Sequence, residues 1–145
     1  YLFNVKMEPN VWGPPGWTFL HSITFKYPDN PSDLEKKKYY NFFNSLKNVL
    51  PCPTCQEHYE DNFNKIPIRL ENREELIEWL IDIHNEINRM NGKKVYSYEE
   101  VYEIYNDMYG VESSKKSPDY LFILLLLAII VIGCYYYKEV YLKKN

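Results

Sequence analysis

Two cysteines stand two residues apart near the middle of the chain, in the stretch Leu50-Pro51-Cys52-Pro53-Thr54-Cys55. Such a pair can close a small disulfide ring. A helix that begins at the motif would point its positive end at the sulfurs and favour the thiolate form. This is the chemistry of a redox-active dithiol. The third cysteine, Cys134, lies in an apolar run near the C-terminus, and we interpret it as a small apolar residue.

The cysteine pair alone leaves three interpretations open. A zinc site would need two more ligands, which His21, His58 or His84 could supply, but the second ligand pair of common zinc folds is absent. A thioredoxin-like motif would need a preceding strand, whereas the surrounding pattern is helical. A helical dithiol beside a bound cofactor fits the pattern best. We therefore predict a redox pair and no metal site.

A second group of aromatic and polar residues lies on two predicted helices. The first helix carries Trp17 and His21, and a later helix carries Trp79, His84, Asn85 and Asn88. Residues three and four apart share a helix face, and Asn is unfavourable inside a helix, so the later cluster is not explained by helix propensity. The structural alternatives are a core aromatic packed on a buried histidine for the first pair, and a solvated helix end for the second.

These residues must be positioned by helices, because the apolar spacing predicts five helices and no strand over residues 1–110. Residues 11–17 are predicted to form a turn that leads into the first helix. Proline ends the first three helices, and polar caps begin the second, fourth and fifth; the residues concerned are Pro28, Pro51, Pro67, Ser32 or Asp33, Asn72 and Ser97. The predicted fold is all-α, a four-helix bundle with a short fifth helix.

The remaining residues are predicted to form a polar linker over 111–119, an apolar helix over 120–137 and a short basic tail over 138–145. The run 120–137 is uncharged and has tyrosines at both ends. Its length falls within the roughly 17 to 25 residues that a membrane-spanning helix needs. We therefore predict a single C-terminal transmembrane helix and a single-pass membrane protein.

Composition excludes some classes of function. The formal net charge is −3, and no basic stripe runs through the chain, so nucleic-acid binding is not its main task. Three cysteines are too few for a disulfide-stabilised secreted scaffold. Aromatic residues make up 17% of the chain, which is more than a small helical core needs, and some of them could line a planar cofactor.

Taken in order, the motifs resemble the Erv/ALR family of FAD-linked sulfhydryl oxidases over roughly residues 11–110. They are Trp12-Gly13-Pro14-Pro15-Gly16-Trp17-Thr18-Phe19-Leu20-His21, Tyr27-Pro28, the stretch Leu50–Cys55 followed by His58, and Trp79 with His84-Asn85-Glu86-Ile87-Asn88. The combination is far more specific than any one motif. The opening motif and the Cys-Pro-x-Cys form look most like members encoded by large DNA viruses.

The resemblance implies FAD at the mouth of the bundle beside the cysteine pair. It implies that Cys55 faces the flavin ring and that Cys52 is the outer cysteine, which exchanges disulfides with substrate. The positions that match flavin contacts on the first helix are Gly13, Trp17, His21 and Tyr27. Those that match adenine and ribose contacts are His58, Trp79, His84, Asn85, Ile87 and Asn88, and Lys93 or Lys94 with Tyr98 match later contacts.

The resemblance also implies protein thiols as substrate, O2 as electron acceptor with H2O2 as product, and a homodimer. The shuttle cysteines of the family's cellular members are absent from this sequence. Substrate thiols, or a separate small thioredoxin-like carrier, are therefore expected to react with Cys52 directly. A viral member is expected in a virion or a host intracellular membrane. The alternatives are a membrane-anchored dithiol carrier and a zinc-holding binding module with a structural cysteine pair.

Overall fold

The computed structural model describes residues 7–110 and 120–141 of the 145-residue chain. Every regular element in these two ranges is an α-helix, so the prediction of an all-α protein is confirmed. The helices are α1 (Pro9–Phe25), α2 (Asp33–Val49), α3 (Pro53–Lys65), α4 (Arg73–Met90), α5 (Tyr98–Tyr109) and α6 (Tyr120–Tyr141). The predicted linker over 111–119 and residues 142–145 of the predicted tail lie outside the described residues. The chain separates into two compact units, Tyr1–Met108 and Tyr109–Asn145.

The predicted caps of three helices are confirmed. Ser32 begins α2 with a reciprocal capping box, in which its side chain accepts from the Glu35 N–H while the Glu35 carboxylate accepts from the Ser32 N–H. Asn72 caps α4 by accepting from the Glu75 N–H at 2.9 Å. Ser97 and Glu100 form the same reciprocal pair before α5. Each cap satisfies N–H groups that have no partner within the helix, which stabilises it by about 0.5 to 2 kcal/mol.

Helix α1 begins earlier than the sequence predicts, at Pro9 instead of after a turn over 11–17. The Glu8 carbonyl accepts from the Val11 N–H at 2.9 Å, so helical bonding starts upstream of the prolines. Pro14 and Pro15 lie inside the helix and lack N–H donors, which leaves the carbonyls four residues earlier without helical partners. Those carbonyls belong to exposed residues, where water can satisfy them, and this explains why the helix tolerates both prolines.

The main core forms where α1 packs on α4, α2 on α3, and α3 on α4. Trp79 lies at its centre with no exposed surface, and its ring meets Phe43 and Phe63 edge to face, with centroids 5.0 and 5.8 Å away. Its indole N–H donates to the Ile66 carbonyl at 2.9 Å, so the buried polar atom is satisfied. The other buried members are Tyr27, Leu46, Tyr59, Leu76, Leu80 and Ile83.

A second, smaller core joins α4 to α5. Its buried members are Ile77, Ile81, Val101 and Tyr105. At the start of α5, the Tyr98 hydroxyl donates to the Asp82 carboxylate at 2.9 Å, and Arg69 donates to the other carboxylate oxygen at 2.6 Å. These contacts fix α5 against α4, and α5 thereby contributes a residue to the site described below.

Helix α6 belongs to the second unit, and its described side chains are almost all exposed. Within the two described ranges, no helix combines the length and the apolar character needed to cross a membrane. The predictions of a transmembrane helix over 120–137 and of a single-pass membrane protein are therefore wrong. A spanning helix needs about 20 predominantly apolar residues. The end of α6 instead carries the hydroxyl groups of Tyr135, Tyr136 and Tyr137, followed by the charges of Lys138 and Glu139.

Candidate active site

The cysteine pair lies at the N-terminus of α3, where the sequence predicts it. Cys52 is the N-cap residue with extended backbone, and its Sγ accepts from the Cys55 N–H at 3.3 Å. Pro53 occupies the first helical turn, where its missing N–H costs no helical hydrogen bond. Both cysteines are half-buried free thiols. The sulfur of Cys52 therefore meets the positive end of the helix directly.

The thiol of Cys55 does not have the lowered pKa that the sequence predicts for this position. Burial, followed by the hydrogen bond and the charge of the neighbouring Cys52, raises the pKa of Cys55 to about 11. The prediction is wrong for this cysteine because it considers the helix end and neglects burial, which disfavours the charged form. In the dithiol state Cys55 is consequently a neutral thiol at pH 7.

Packing of α1 on α4 assembles the predicted aromatic and imidazole residues into one cluster. The His84 ring stacks on Trp17 with centroids 3.9 Å apart and planes 8° apart. The Nε2 atom of His21 lies 3.1 Å from the Nδ1 atom of His84. Tyr105 of α5 closes the far side, with its ring centroid 5.3 Å from that of His21. Four rings from three helices thus form a continuous aromatic wall.

Both histidines are neutral at pH 7. Burial, with a smaller contribution from His84, lowers the pKa of His21 to about 3; burial, with a smaller contribution from Lys93, lowers the pKa of His84 to about 4. One hydrogen bond joins the two rings, so one of the two facing nitrogens carries a proton and the other accepts. The remaining ring nitrogen of His21, Nδ1, is buried and has no partner in the described part of the chain. A buried polar atom of this kind is costly unless a ligand satisfies it.

Several predicted contact residues are buried and use their polar groups within the protein. Tyr27 and Trp79 have no exposed surface; the Tyr27 hydroxyl donates to the Leu70 carbonyl at 2.9 Å and Trp79 donates to Ile66. Asn85 is 6% exposed and uses its amide on the backbone of Tyr96, to whose carbonyl it donates at 2.9 Å and from whose N–H it accepts at 3.0 Å. The polar groups of these three residues thus have partners within the protein.

Other predicted contact residues lie around the wall. His58 is half-buried on α3, one turn after Cys55, and Asn88 and Ile87 follow His84 on α4. Gly13 faces open space, since a methyl group added there would meet no protein atom within 4 Å. The space beside Gly13 can therefore admit the edge of a ligand.

The two lysines after α4 have different surroundings. Lys94 pairs with Glu100 at 2.7 Å, and its ammonium lies 4.6 Å above the Tyr96 ring. Lys93 follows the left-handed turn at Gly92, its N–H donates to the Asn88 carbonyl at 2.8 Å, and its charge contributes to the lowered pKa of His84. Of the two lysines, Lys93 is therefore the one whose charge acts on His84. The hydroxyl of Tyr98 is engaged with Asp82.

Neither the place of Tyr105 in the aromatic wall nor the buried indole nitrogen of Trp12 can be predicted from the sequence. Tyr105 fits the apolar spacing of α5, but only the packing of α5 brings it to His21; the cap at Ser97 gives the helix register that could have suggested this. Trp12 has a buried indole nitrogen without a partner in the described residues, and its ring lies 3.5 Å from where a Gly16 side chain would begin. No pattern in the sequence signals that buried nitrogen.

The side chains present suit a planar ring system with an anionic group. Stacked and edge-on aromatic rings provide faces for a flat ligand, and the unpartnered His21 Nδ1 can exchange a hydrogen bond with it. Lys93 provides a positive charge beside them. Within the described residues, no three His, Cys, Asp or Glu side chains converge as metal ligands would.

Comparison with known proteins gives consistent matches. The sequence model of the Erv1 / Alr family matches residues 15–106. The chain is 47% identical over 100 residues to a probable FAD-linked sulfhydryl oxidase of Acanthamoeba polyphaga mimivirus, covering 67% of this chain and 70% of that protein. It is 34% identical over 89 residues to the FAD-linked sulfhydryl oxidase ERV1 of Arabidopsis thaliana, covering 61% of this chain and 47% of that protein.

The fold matches solved structures as well. The crystal structure of the yeast Erv1 core superposes with a TM-score of 0.61 at 29% identity, covering 67% of this chain and 82% of that one. The FAD binding domain of Erv1 from Saccharomyces cerevisiae gives a TM-score of 0.62 at 30% identity, covering 63% and 88%. The chain spans 70% of the mimivirus protein but less than half of the ERV1 proteins of Arabidopsis thaliana and Saccharomyces cerevisiae.

Proposed function

Because the chain belongs to the Erv1/Alr family, we propose that it is an FAD-linked sulfhydryl oxidase that forms disulfides in protein thiols. The observation that carries the proposal is the Cys52–Cys55 dithiol at the start of α3. It lies in the same helical bundle as the aromatic wall of Trp17, His21, His84 and Tyr105. The names of the relatives support FAD as the cofactor.

The residues of the site fit FAD. The rings of Trp17, His21 and His84 would hold its aromatic groups, the unpartnered His21 Nδ1 would exchange a hydrogen bond with it, and Lys93 would face its phosphates. Gly13, His58, Ile87 and Asn88 are proposed as further contacts, whereas Tyr27, Trp79, Asn85 and Tyr98 use their polar groups within the protein. When bound, FAD supplies a two-electron acceptor that links the dithiol to O2, with H2O2 as product.

Disulfide exchange is proposed to begin at Cys52. A substrate thiolate attacks the Cys52 sulfur of the oxidised pair, which forms a mixed disulfide and releases the Cys55 sulfur. Cys55 then takes up a proton, since burial raises the pKa of its thiol to about 11. A second substrate thiolate attacks the substrate sulfur of the mixed disulfide, and Cys52 leaves as a thiolate that the Cys55 N–H and the helix end stabilise. Two substrate thiols have then become one disulfide, and the pair is a dithiol.

Cys55 is the proposed flavin-facing cysteine. It lies inside the first turn of α3, whereas Cys52 caps the helix at its outer end. His58, a proposed cofactor contact, follows Cys55 by three residues and so shares its side of the helix. Protein thiols, or a small thioredoxin-like carrier, are the proposed partners of Cys52.

A homodimer is proposed because apolar side chains of α1 and α2 are exposed. Val11 is 75% exposed and Phe19 is 60% exposed; Pro15 lies between them on the same stripe of α1. Leu34 and Val49 are exposed on α2. A second copy of the chain would cover such apolar surface, as the interfaces of obligate dimers do.

The test compares Cys55→Ser with Cys52→Ser, using Cys134→Ser as a matched control. The wild-type chain is expected to be yellow, to lose its flavin absorption on addition of dithiothreitol without air, and to recover it when O2 is admitted. Cys55→Ser and Cys52→Ser should retain the flavin and lose turnover, whereas Cys134→Ser should behave as wild type. Substantial dithiol oxidation by Cys55→Ser, or a folded chain that takes up no FAD, would contradict the proposal.

A further inference from the structure

The side chain of Asn85 bonds the backbone of the segment between α4 and α5. After the left-handed turn at Gly92 the chain runs back along α4, with the Lys93 N–H donating to the Asn88 carbonyl. In the described part of the chain, the next hydrogen bonds from the backbone of this segment are the two that join Tyr96 to the Asn85 amide. Asn85 therefore clamps the segment through both a donor and an acceptor, in the way that a neighbouring strand would.

The same segment carries Lys93, whose charge acts on His84. Asn88 lies four residues after His84, on the same side of α4, so the bond from Lys93 to Asn88 places Lys93 one helical turn from His84. Lys94 is already paired with Glu100. The clamp at Tyr96 and the turn at Gly92 thus fix the two ends of a short segment in which Lys93, unlike Lys94, has no ion pair with another described residue.

We propose that Asn85 is a positioning residue, which acts on FAD by holding Lys93 beside His84 rather than by touching the cofactor. This inference rests on the proposed function, because it assigns Lys93 to the anionic part of FAD. Asn85 is 6% exposed, and its amide nitrogen and oxygen each bond the backbone of Tyr96, so the side chain is held against the segment that carries Lys93. Replacement of Asn85 should consequently weaken FAD binding only through the charge of Lys93.

The experiment measures the rate at which FAD leaves the full-length holoprotein, from the fluorescence of released FAD. The variants are Asn85→Ala, Lys93→Ala, the double variant and Lys94→Ala. Asn85→Ala and Lys93→Ala are each expected to accelerate release about tenfold at low salt, the size of one charge-assisted hydrogen bond. The double variant should release FAD no faster than Lys93→Ala. Lys94→Ala should stay within about twofold of wild type.

Salt separates a charge effect from a purely structural one. The acceleration caused by Asn85→Ala should shrink at high salt, because screening removes the attraction that the clamp serves. If the two single effects instead multiply to about a hundredfold, or if the Asn85→Ala effect is independent of salt, Asn85 acts independently of Lys93 and the inference is wrong. A large effect of Lys94→Ala would overturn the choice of lysine.

A second variant covers the case in which Asn85→Ala does not fold. Asn85→Leu keeps a similar side-chain volume and adds no charge, but it can neither donate to the Tyr96 carbonyl nor accept from the Tyr96 N–H. Its acceleration of FAD release should also disappear in the Lys93→Ala background, and a persisting effect there would contradict the inference. A wild-type chain that holds no FAD would instead refute the proposed function, so the two failures are distinguishable.

Discussion

At the scale of single residues, the neutral pair His21 and His84 makes the fold sensitive to acid. Both pKa values are lowered by burial, to about 3 and about 4, whereas a histidine in the unfolded chain has a pKa of about 6.5. Between pH 6.5 and pH 4 the unfolded chain therefore binds protons that the folded chain does not. The free energy of unfolding must fall as the pH falls through this range.

Replacing one imidazole should reduce that pH dependence. His21→Gln is expected to remove up to about 1.4 kcal/mol per pH unit from the slope of unfolding free energy between pH 6.5 and pH 5. Urea denaturation at a series of pH values and a fixed FAD concentration measures this slope. His58→Gln, on the half-buried face of α3, serves as the control for removing one imidazole outside the pair. An unchanged slope in His21→Gln would show that the histidine pair is not the acid-sensitive element.

Gly13 offers a test of where the cofactor lies. A methyl group added at Gly13 would meet no atom from another part of the protein within 4 Å. Gly13 precedes Pro14, however, and the proline ring disfavours the helical conformation of a preceding residue that has a Cβ, so Gly13→Ala is expected to destabilise α1 in the absence of FAD. If FAD passes over Gly13, the same methyl group should accelerate FAD release about tenfold, since overpacking costs about 1–3 kcal/mol.

The control for this substitution is Gly16→Ala, whose methyl group would make an ordinary 3.5 Å contact with the Trp12 ring. It should leave FAD release close to that of wild type. Unchanged release in Gly13→Ala would place the cofactor elsewhere on α1.

Residue types predict the chemistry of the site better than they predict each residue's partner. The cysteine pair, the imidazoles and the aromatic rings follow from type and helical spacing. The partner of Asn85 is a backbone 11 residues away, and that of Trp79 is a carbonyl 13 residues away. No periodicity encodes such contacts, because they depend on how loops return to helices. The pKa of Cys55 escapes prediction for the same reason, since its burial is a tertiary property.

At the scale of helices, local signals predict the starts well. Capping residues and prolines act within one turn, so Ser32, Asn72, Ser97 and Pro53 mark their helices from sequence alone. The start of α1 is predicted wrongly because two adjacent prolines indicate a turn. The helix can contain both prolines because the carbonyls that lose their helical partners are exposed to water. The apolar run near the C-terminus also gives a wrong prediction. Its hydrophobicity over 120–137 predicts a membrane helix that the structure does not support.

The capping box of α2 should be measurable as stability. Ser32→Ala removes the acceptor for the Glu35 N–H and one partner of its carboxylate, and is expected to lower the free energy of unfolding by about 1 kcal/mol. Chemical denaturation gives the value. Ser45→Ala lies on the exposed surface of the same helix, where its hydroxyl bonds only the preceding turn, and should change stability by less than about 0.5 kcal/mol. Equal effects at both positions would argue against the cap.

At the scale of the molecule, the buried residues of both core clusters lie in the first unit, between α1 and α5. A fragment of residues 1–110 can therefore be used to study association without the exposed apolar side chains of α6. In that fragment, we expect a dimer that Phe19→Glu converts to a monomer, because a charge on the α1 stripe opposes its burial.

Analytical ultracentrifugation measures the mass in solution. Ile104→Glu introduces the same charge on α5, where the side chain is 43% exposed, and should leave the dimer intact. FAD should remain bound in both variants, since neither position belongs to the aromatic wall. A monomeric wild-type fragment, or a dimer that survives Phe19→Glu, would contradict the proposed homodimer.

The hydrogen bond from the Cys55 N–H to the Cys52 sulfur couples a backbone amide to the oxidation state of Cys52. A thiolate accepts an amide proton more strongly than a thiol or a disulfide sulfur does. The nuclear magnetic resonance signal of this one amide should therefore move each time Cys52 changes its bonding. Each stage of disulfide exchange could then be followed at a backbone atom, without a dye, a chromophore or a change to either cysteine.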